Sequence, residues 1–142
     1  MKIIFIICYS LYMLFFSYSS QNPVSQQILS EDIKPHGNME IRNEAGEVLI
    51  TTKDIESVEA SAISDPVSGY QHCVQIKFTE EGTQRFKEAT EAHIGEILYI
   101  YVDNECISAP YVYSTISDGV AIISGLSSYE EASEIVDAIL GY

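Results

Sequence analysis

Apolar and polar residues alternate along several short stretches of the chain, with the period of two that a half-buried β-strand requires. Three such stretches lie in the middle of the chain: Val48–Thr52, Ser57–Ile63 and His72–Phe78. Turn-forming residues at 65–69 separate the second stretch from the third. In the third stretch, Val74, Ile76 and Phe78 fall on one side. The pattern therefore predicts strands that bury one face.

The next segment has the three-and-four spacing of an amphipathic helix. Thr79 can accept hydrogen bonds from the free amides of the first turn, and Gly95 can end the helix. The apolar stripe between these two residues consists of Phe86, Ala89, Thr90, His93 and Ile94. We expect this stripe to pack on a sheet.

The following segments predict further strands. Ile97–Val102 is apolar throughout, which favours a central strand covered on both faces. Asp103-Asn104 then turns the chain, because short polar side chains tolerate the backbone angles of tight turns. Cys106–Ser108 returns briefly, and Ala109-Pro110 is expected to end its pairing because proline has no N–H. Val120–Ser124 is the last predicted strand.

A second helix is predicted at the end of the chain. Ser128 and Glu131 form a capping box, and Gly141 ends the helix. The order ββαββα predicts an α+β fold, with one mixed or mostly antiparallel sheet and two helices packed on one face. Residues 44–142 are expected to form this single small domain, and residues 20–43 a polar lead-in or linker.

Residues 1–19 are predicted to be a signal peptide. Lys2 precedes an apolar run over residues 3–16, which is shorter than the roughly 20 residues of a membrane-spanning helix. Ser17 and Ser19 suit cleavage after Ser19 because both are small. The alternative is an uncleaved N-terminal membrane anchor. In both cases the remainder is extracytoplasmic, either periplasmic or secreted.

The charge balance excludes several classes of partner. The chain has 7 Lys and Arg against 21 Asp and Glu, a net charge of −14, which becomes −15 when residues 1–19 and their Lys2 are removed. Such a surface repels nucleic acid and anionic lipid, since no basic stripe can replace their counterions. Nucleic-acid binding is therefore not expected.

No residue pattern indicates an enzyme or a cofactor. His36, His72 and His93 lack the spacing that recruits a metal or activates a nucleophile. The acidic pairs at 80–81 and 130–131 lie at helix starts, where the helix dipole accounts for them. We therefore predict a non-catalytic protein without a metal site.

Two cysteines follow the signal peptide, Cys73 and Cys106. An extracytoplasmic location permits a disulfide between them. The alternative, which we favour, is that both are small buried residues of the core with free thiols.

Taken in order, these segments resemble the head subdomain of the first periplasmic domain of SecD and SecDF, an accessory part of the bacterial Sec translocase. The resemblance covers about Glu44 to Gly141. It rests on ordered motifs: Thr52-Lys53-Asp54-Ile55, Val74-Gln75-Ile76-Lys77-Phe78, Ile107-Ser108-Ala109-Pro110 and Ile123-Ser124-Gly125. The signature residues, which we interpret as structural, are Gly95, Asp103, Ala109, Pro110, Gly119 and Gly125.

The resemblance implies an exported, non-catalytic module that binds polypeptide or an envelope protein and assists Sec-dependent export. Sec translocase components are candidate partners. Since the sequence ends at the head, we expect a freestanding module that uses no proton gradient. The alternative is an envelope interaction or structural domain that reuses the fold and has no role in translocation. The sequence does not indicate an oligomeric state.

Tyr111 and Tyr113 are the candidate polypeptide-binding residues. They lie on one side of an extended segment after the Ala109-Pro110 corner. Aromatic rings there could hold an extended peptide, while unpaired edge backbone supplies hydrogen bonds that do not depend on sequence. The alternative is that both rings only cover the sheet, with their hydroxyls in water.

Export should leave a protein that begins at Ser20. Cleavage is expected because the apolar run is short and small residues follow it. Intact-mass measurement of the exported protein tests this. Recovery from the membrane of a chain that still carries Met1 would contradict cleavage and favour the anchor.

Overall fold

The structure is a computed structural model that describes residues 34–67 and 69–142; the predicted signal peptide lies outside these residues. Its strands and helices follow one another in this order: β1 (Met39–Arg42), β2 (Val48–Thr51), a 3-10 turn (Thr52–Asp54), β3 (Ile55–Asp65), β4 (Gly69–Phe78), α1 (Glu80–Ala92), β5 (Tyr99–Val102), β6 (Glu105–Ser108), β7 (Val120–Leu126) and α2 (Tyr129–Leu140). All neighbouring strands are antiparallel. The α+β class and the antiparallel pairing are confirmed.

The strands form two sheets where the sequence pattern predicts one. The first sheet has the strand order β2-β1-β5-β6 and the second the order β3-β4-β7. Helix α1 contacts β2, the 3-10 turn and β4, whereas α2 lies across β3 and β4 and also reaches β5 and β7. The helices thus close a core to which both sheets contribute.

Strand β1 lies within residues 20–43, the segment that the sequence pattern assigns to the lead-in. The structure corrects this assignment, because Met39 and Ile41 are 0% and 1% exposed and β1 pairs with both β2 and β5. The Met39 N–H also donates to Thr52 Oγ1 at 2.8 Å. Four alternating residues among polar neighbours are too few to stand out as a strand in sequence.

The core faces of β4 and α1 follow the sequence pattern closely. Val74, Ile76 and Phe78 are buried, as predicted, and the Phe78 and Phe86 rings pack with centroids 4.6 Å apart. Thr79 caps α1 by accepting a hydrogen bond from Gly82 N at 3.0 Å. These interactions fix α1 against the sheet.

The end of α1 differs from the prediction. Its buried stripe stops at Thr90, and Ile94 is 52% exposed because the chain leaves the helix at His93. Gly95, with φ of +89°, therefore lies in the turn after the helix. That turn leads the chain into the edge of the first sheet.

Helix α2 begins with a variant of the predicted capping box. Ser128 Oγ accepts from Glu131 N at 3.1 Å, but the Glu131 carboxylate accepts from the N–H and hydroxyl of Ser127. These two hydrogen bonds lower the pKa of Glu131. Their contribution to stability is therefore present above the ordinary carboxylate pKa and is lost as pH falls. Gly141, with φ of +92°, ends the helix as predicted.

Replacing Phe86 with alanine should destabilise the fold by about 3 to 5 kcal/mol, because the ring fills the space between α1 and β4. Chemical denaturation gives the free energy of unfolding. Lys87→Ala, an exposed change on the same helix, is the matched control and should change stability by less than about 0.5 kcal/mol. Equal stability of the Phe86→Ala and Lys87→Ala variants would contradict this packing.

Candidate functional site

The candidate site lies at the β6 edge of the first sheet. Strand β6 pairs with β5, and the pairing continues beyond Pro110: Leu98 N donates to Pro110 O at 3.0 Å. Val112 then donates to Glu96 O and accepts from Gly95 N, each at 2.9 Å. Residues 105–112 therefore act as one edge strand, which we call the edge segment.

The expectation that Pro110 ends this pairing is wrong. Proline lacks the backbone donor but keeps its carbonyl oxygen, and that oxygen accepts from Leu98. Because successive residues of a strand direct their backbone groups to opposite sides, Ala109 and Tyr111 direct theirs away from β5. The outer side of the edge segment thus keeps both donors and acceptors.

Tyr111 and Tyr113 share one side of this backbone, as predicted. Their side chains are 48% and 84% exposed, and their rings meet edge to face with centroids 4.7 Å apart. Val112 between them is 7% exposed and points into the core. One buried residue therefore anchors two aromatic residues that face solvent.

Helix α1 and the turn that follows it hold the backbone between and after these tyrosines. Beyond its end, Gly95 N donates to Val112 O. Farther along, Ile116 N donates to the hydroxyl of Thr90 at 3.0 Å, and that hydroxyl, which is buried, donates to Phe86 O. The extended segment is thus positioned by the helix as well as by the sheet.

Two further tyrosines belong to the same face of the sheet. Strand β5 buries Ile100 and Val102, whereas Tyr99 and Tyr101 alternate with them and are half-buried. Ile97 lies directly opposite Tyr111, and Tyr99 and Tyr101 follow Ile97 at intervals of two residues. The side chains of Tyr99, Tyr101 and Tyr111 therefore share one face of the sheet. We call Tyr99, Tyr101, Tyr111 and Tyr113 the tyrosine face.

Strand β5 is therefore buried on one face only, which corrects the prediction of a strand covered on both. The alternation of tyrosine with aliphatic residues was the available signal, but apolar and aromatic side chains count alike in a hydropathy pattern.

Arg42 from β1 lies over the tyrosine face, with its guanidinium 4.6 Å from the Tyr101 ring centroid. The same guanidinium forms an ion pair with Glu40.

The remaining signature residues lie in a turn, in the edge segment and in β7. Asp103 and Asn104 have φ of 49° and 65° in the turn between β5 and β6, a conformation that short polar residues tolerate. Ala109 and Pro110 are exposed in the edge segment. Gly125, with φ of +82°, lies in β7.

Gly119 is held by close packing. Its φ is +74°, its carbonyl accepts from Phe78 N at 2.9 Å, and an added Cβ would lie 2.4 Å from Thr83 Oγ1. The residue therefore joins the start of β7 to α1 and β4.

The two cysteines lie in different sheets as free thiols. Cys73 in β4 is 1% exposed, in agreement with a core residue. Cys106 in β6 is exposed, so the interpretation that both are buried is wrong for this residue. Its thiol donates to Ser108 O at 3.5 Å.

In residues 34–67 and 69–142, no group of three or more His, Cys, Asp or Glu side chains is arranged to hold a metal ion. The helices in this part of the chain are also too short or too polar to cross a membrane. The described residues instead place an exposed strand edge beside exposed aromatic side chains.

The structure thus defines a small α+β module with an aromatic face beside an exposed sheet edge. The chain belongs to the SecDF P1 head subdomain family, whose model matches residues 26–140. It is 38% identical over 117 residues to the protein translocase subunit SecDF of Thermus thermophilus, which covers 81% of this chain and 14% of that protein. It is 41% identical over 86 residues to the protein translocase subunit SecD of Petrotoga mobilis, covering 61% of this chain and 18% of that protein.

Solved structures show the same relationship. A crystal structure of SecDF in a super-membrane-facing form aligns with a TM-score of 0.63 and 27% identity over 84% of this chain and 20% of that one. A second structure, described as a membrane component SecDF that enhances protein export, aligns with a TM-score of 0.61 and 26% identity over 85% of this chain and 70% of that one. The chain spans only 14% and 18% of the two curated relatives named above.

Gly119→Ala should destabilise the protein more than Gly46→Ala does. Both glycines have positive φ, 74° and 81°, so alanine is strained by about 1 to 2 kcal/mol at either position. Only at 119 would the new Cβ also meet a neighbour, Thr83, since nothing lies within 4 Å of the Cβ position at 46. Thermal melting of the two variants measures the difference, and equal losses would contradict the close packing at Gly119.

Proposed function

We propose that this protein is a non-catalytic, extracytoplasmic module that binds extended polypeptide and acts in Sec-dependent protein export. The observation that carries the proposal is the pair Tyr111 and Tyr113, exposed on a strand whose outer backbone groups face away from the sheet. An aromatic surface next to an available edge suits an extended chain better than a compact ligand.

The edge segment offers two kinds of contact. The outward N–H and C=O groups of Ala109 and Tyr111 could pair with an added strand, a contact that does not depend on the sequence of that strand. The rings of Tyr111 and Tyr113 offer large apolar area at a small entropic cost, since each side chain has few rotatable bonds. The backbone contacts would give low sequence selectivity, and the rings would give affinity.

The family supports the export role and the location. The related proteins are named protein translocase subunit SecDF and protein-export membrane protein SecD. We carry over from them, as part of the proposal, a site of action on the outer side of the membrane and Sec translocase components as partners. The negative charge of the chain fits this assignment, since it disfavours nucleic acid as a ligand.

Replacing both Tyr111 and Tyr113 with serine should weaken capture of an unfolded polypeptide by at least about tenfold, because aromatic anchors dominate such contacts. Fluorescence anisotropy with a labelled, permanently unfolded protein measures the affinity of the protein lacking residues 1–19.

The matched control is the double variant Tyr70→Ser and Tyr142→Ser, which removes two tyrosines that are 76% and 74% exposed elsewhere on the molecule. It should bind like the unaltered protein. Unchanged capture by a well-folded Tyr111 and Tyr113 variant would refute the site. If the unaltered protein captured no polypeptide, the binding function itself would fail and the interaction-domain alternative would take its place.

A further inference from the structure

Charge is distributed unevenly along the sequence. No Lys or Arg follows Lys87, whereas ten Asp and Glu do. The edge segment and all four residues of the tyrosine face belong to this acidic part of the chain. Because the whole chain also carries a net charge of −14, an approaching ligand meets a negative field, which attracts positive charge and repels negative charge.

Carboxylates lie at both ends of the edge. Glu96, whose backbone carbonyl binds Val112, has a half-exposed side chain 2.7 Å from His93 Nδ1. Asp103 and Glu105 are exposed in and after the turn that begins the edge segment. A strand added along this edge would thus have acidic groups near each of its ends.

The tyrosine face already holds one cation. The guanidinium of Arg42 lies 4.6 Å from the Tyr101 ring centroid and is also paired with Glu40. This arrangement combines a ring face with a carboxylate, which is the environment that stabilises Arg and Lys side chains at protein surfaces. Among the described basic residues, none occupies the corresponding position over Tyr111 or Tyr113.

We infer that the edge selects basic polypeptide, specifically extended segments whose Lys or Arg side chains stack on Tyr111 and Tyr113 within the acidic field. This inference rests on the proposed function and adds the chemistry of the ligand. Side chains of an extended ligand that lie two residues apart share a face, which is also the spacing of the two tyrosines. Two basic residues separated by one residue therefore match the site.

Three labelled peptides of equal length test the inference. They share one β-prone background and differ only at two positions, two residues apart, which carry Lys, Gln or Glu. The Lys peptide should bind about fivefold or more tightly than the Gln peptide, and the Glu peptide more weakly than both. Raising the salt concentration should reduce the advantage of Lys, since exposed charges are screened.

Two variants distinguish the contribution of stacking on the rings from that of the negative charge of the protein. Replacing Tyr111 and Tyr113 with phenylalanine keeps the ring faces and should keep the preference for Lys. Replacing both with leucine keeps apolar bulk but removes the ring faces, so the Lys peptide should fall to nearly the affinity of the Gln peptide. Melting curves of both variants establish that they are folded.

Each outcome has one meaning. Equal binding of all three peptides by the unaltered protein overturns the basic selectivity and leaves polypeptide binding intact. A full Lys preference in the leucine variant overturns the stacking on Tyr111 and Tyr113. Binding of none of the peptides, together with no capture of unfolded protein, overturns the proposed function and this inference with it.

Discussion

The fold depends on the interactions of Asp54, which lies where the chain passes from one sheet to the other. Its side chain is 5% exposed and accepts from Thr51 N at 2.9 Å and from Arg85 at 3.0 Å. Its carbonyl accepts from Thr79 N at 2.9 Å, at the start of α1. A buried carboxylate is tolerated when donors surround it, and these donors come from β2 and α1. One residue thereby fixes the sheet crossing and the position of the helix.

Close approach at this junction then determines where the candidate site forms. A Cβ on Gly82 would lie 2.1 Å from Asp54 O, so only glycine lets α1 pack this tightly on the 3-10 turn. With its first turn fixed, α1 packs Phe86 on Phe78 and ends at His93, beyond which Gly95 binds Val112. The exposure of Tyr111 and Tyr113 is thus linked through α1 to a buried contact at the opposite end of the helix.

Local patterns predicted the elements whose signals are themselves local. The N-terminal caps of both helices and the buried face of β4 follow from Thr79, Ser128 and the alternation around Ile76, and the structure has them. The division into two sheets was not predictable in this way, because alternation shows which face of a strand is buried and not which strand lies beside it. The pairing beyond Pro110 was not predicted, because the missing N–H of proline suggests the end of a strand. The carbonyl oxygen of Pro110 can nevertheless accept a hydrogen bond. Tyr111 and Tyr113 could be placed on one side from spacing alone, whereas their union with Tyr99 and Tyr101 required the register of β5 with the edge segment.

An exposed edge strand is a hazard, because the edge of one copy can pair with the edge of another. Here two features of the edge oppose such pairing. The register shift between Ile100 and Tyr101 interrupts the ladder within β6 and leaves a regular edge only around Ala109 and Tyr111, which shortens the stretch that a second copy could pair with. If two edges aligned antiparallel, the Glu105 end of one copy would also lie near the Glu96 end of the other, and like charges across a sheet repel. The same charges do not oppose a strand of opposite sign. An edge that carries acidic groups beside aromatic rings can therefore stay free of its own copies and still accept a basic chain.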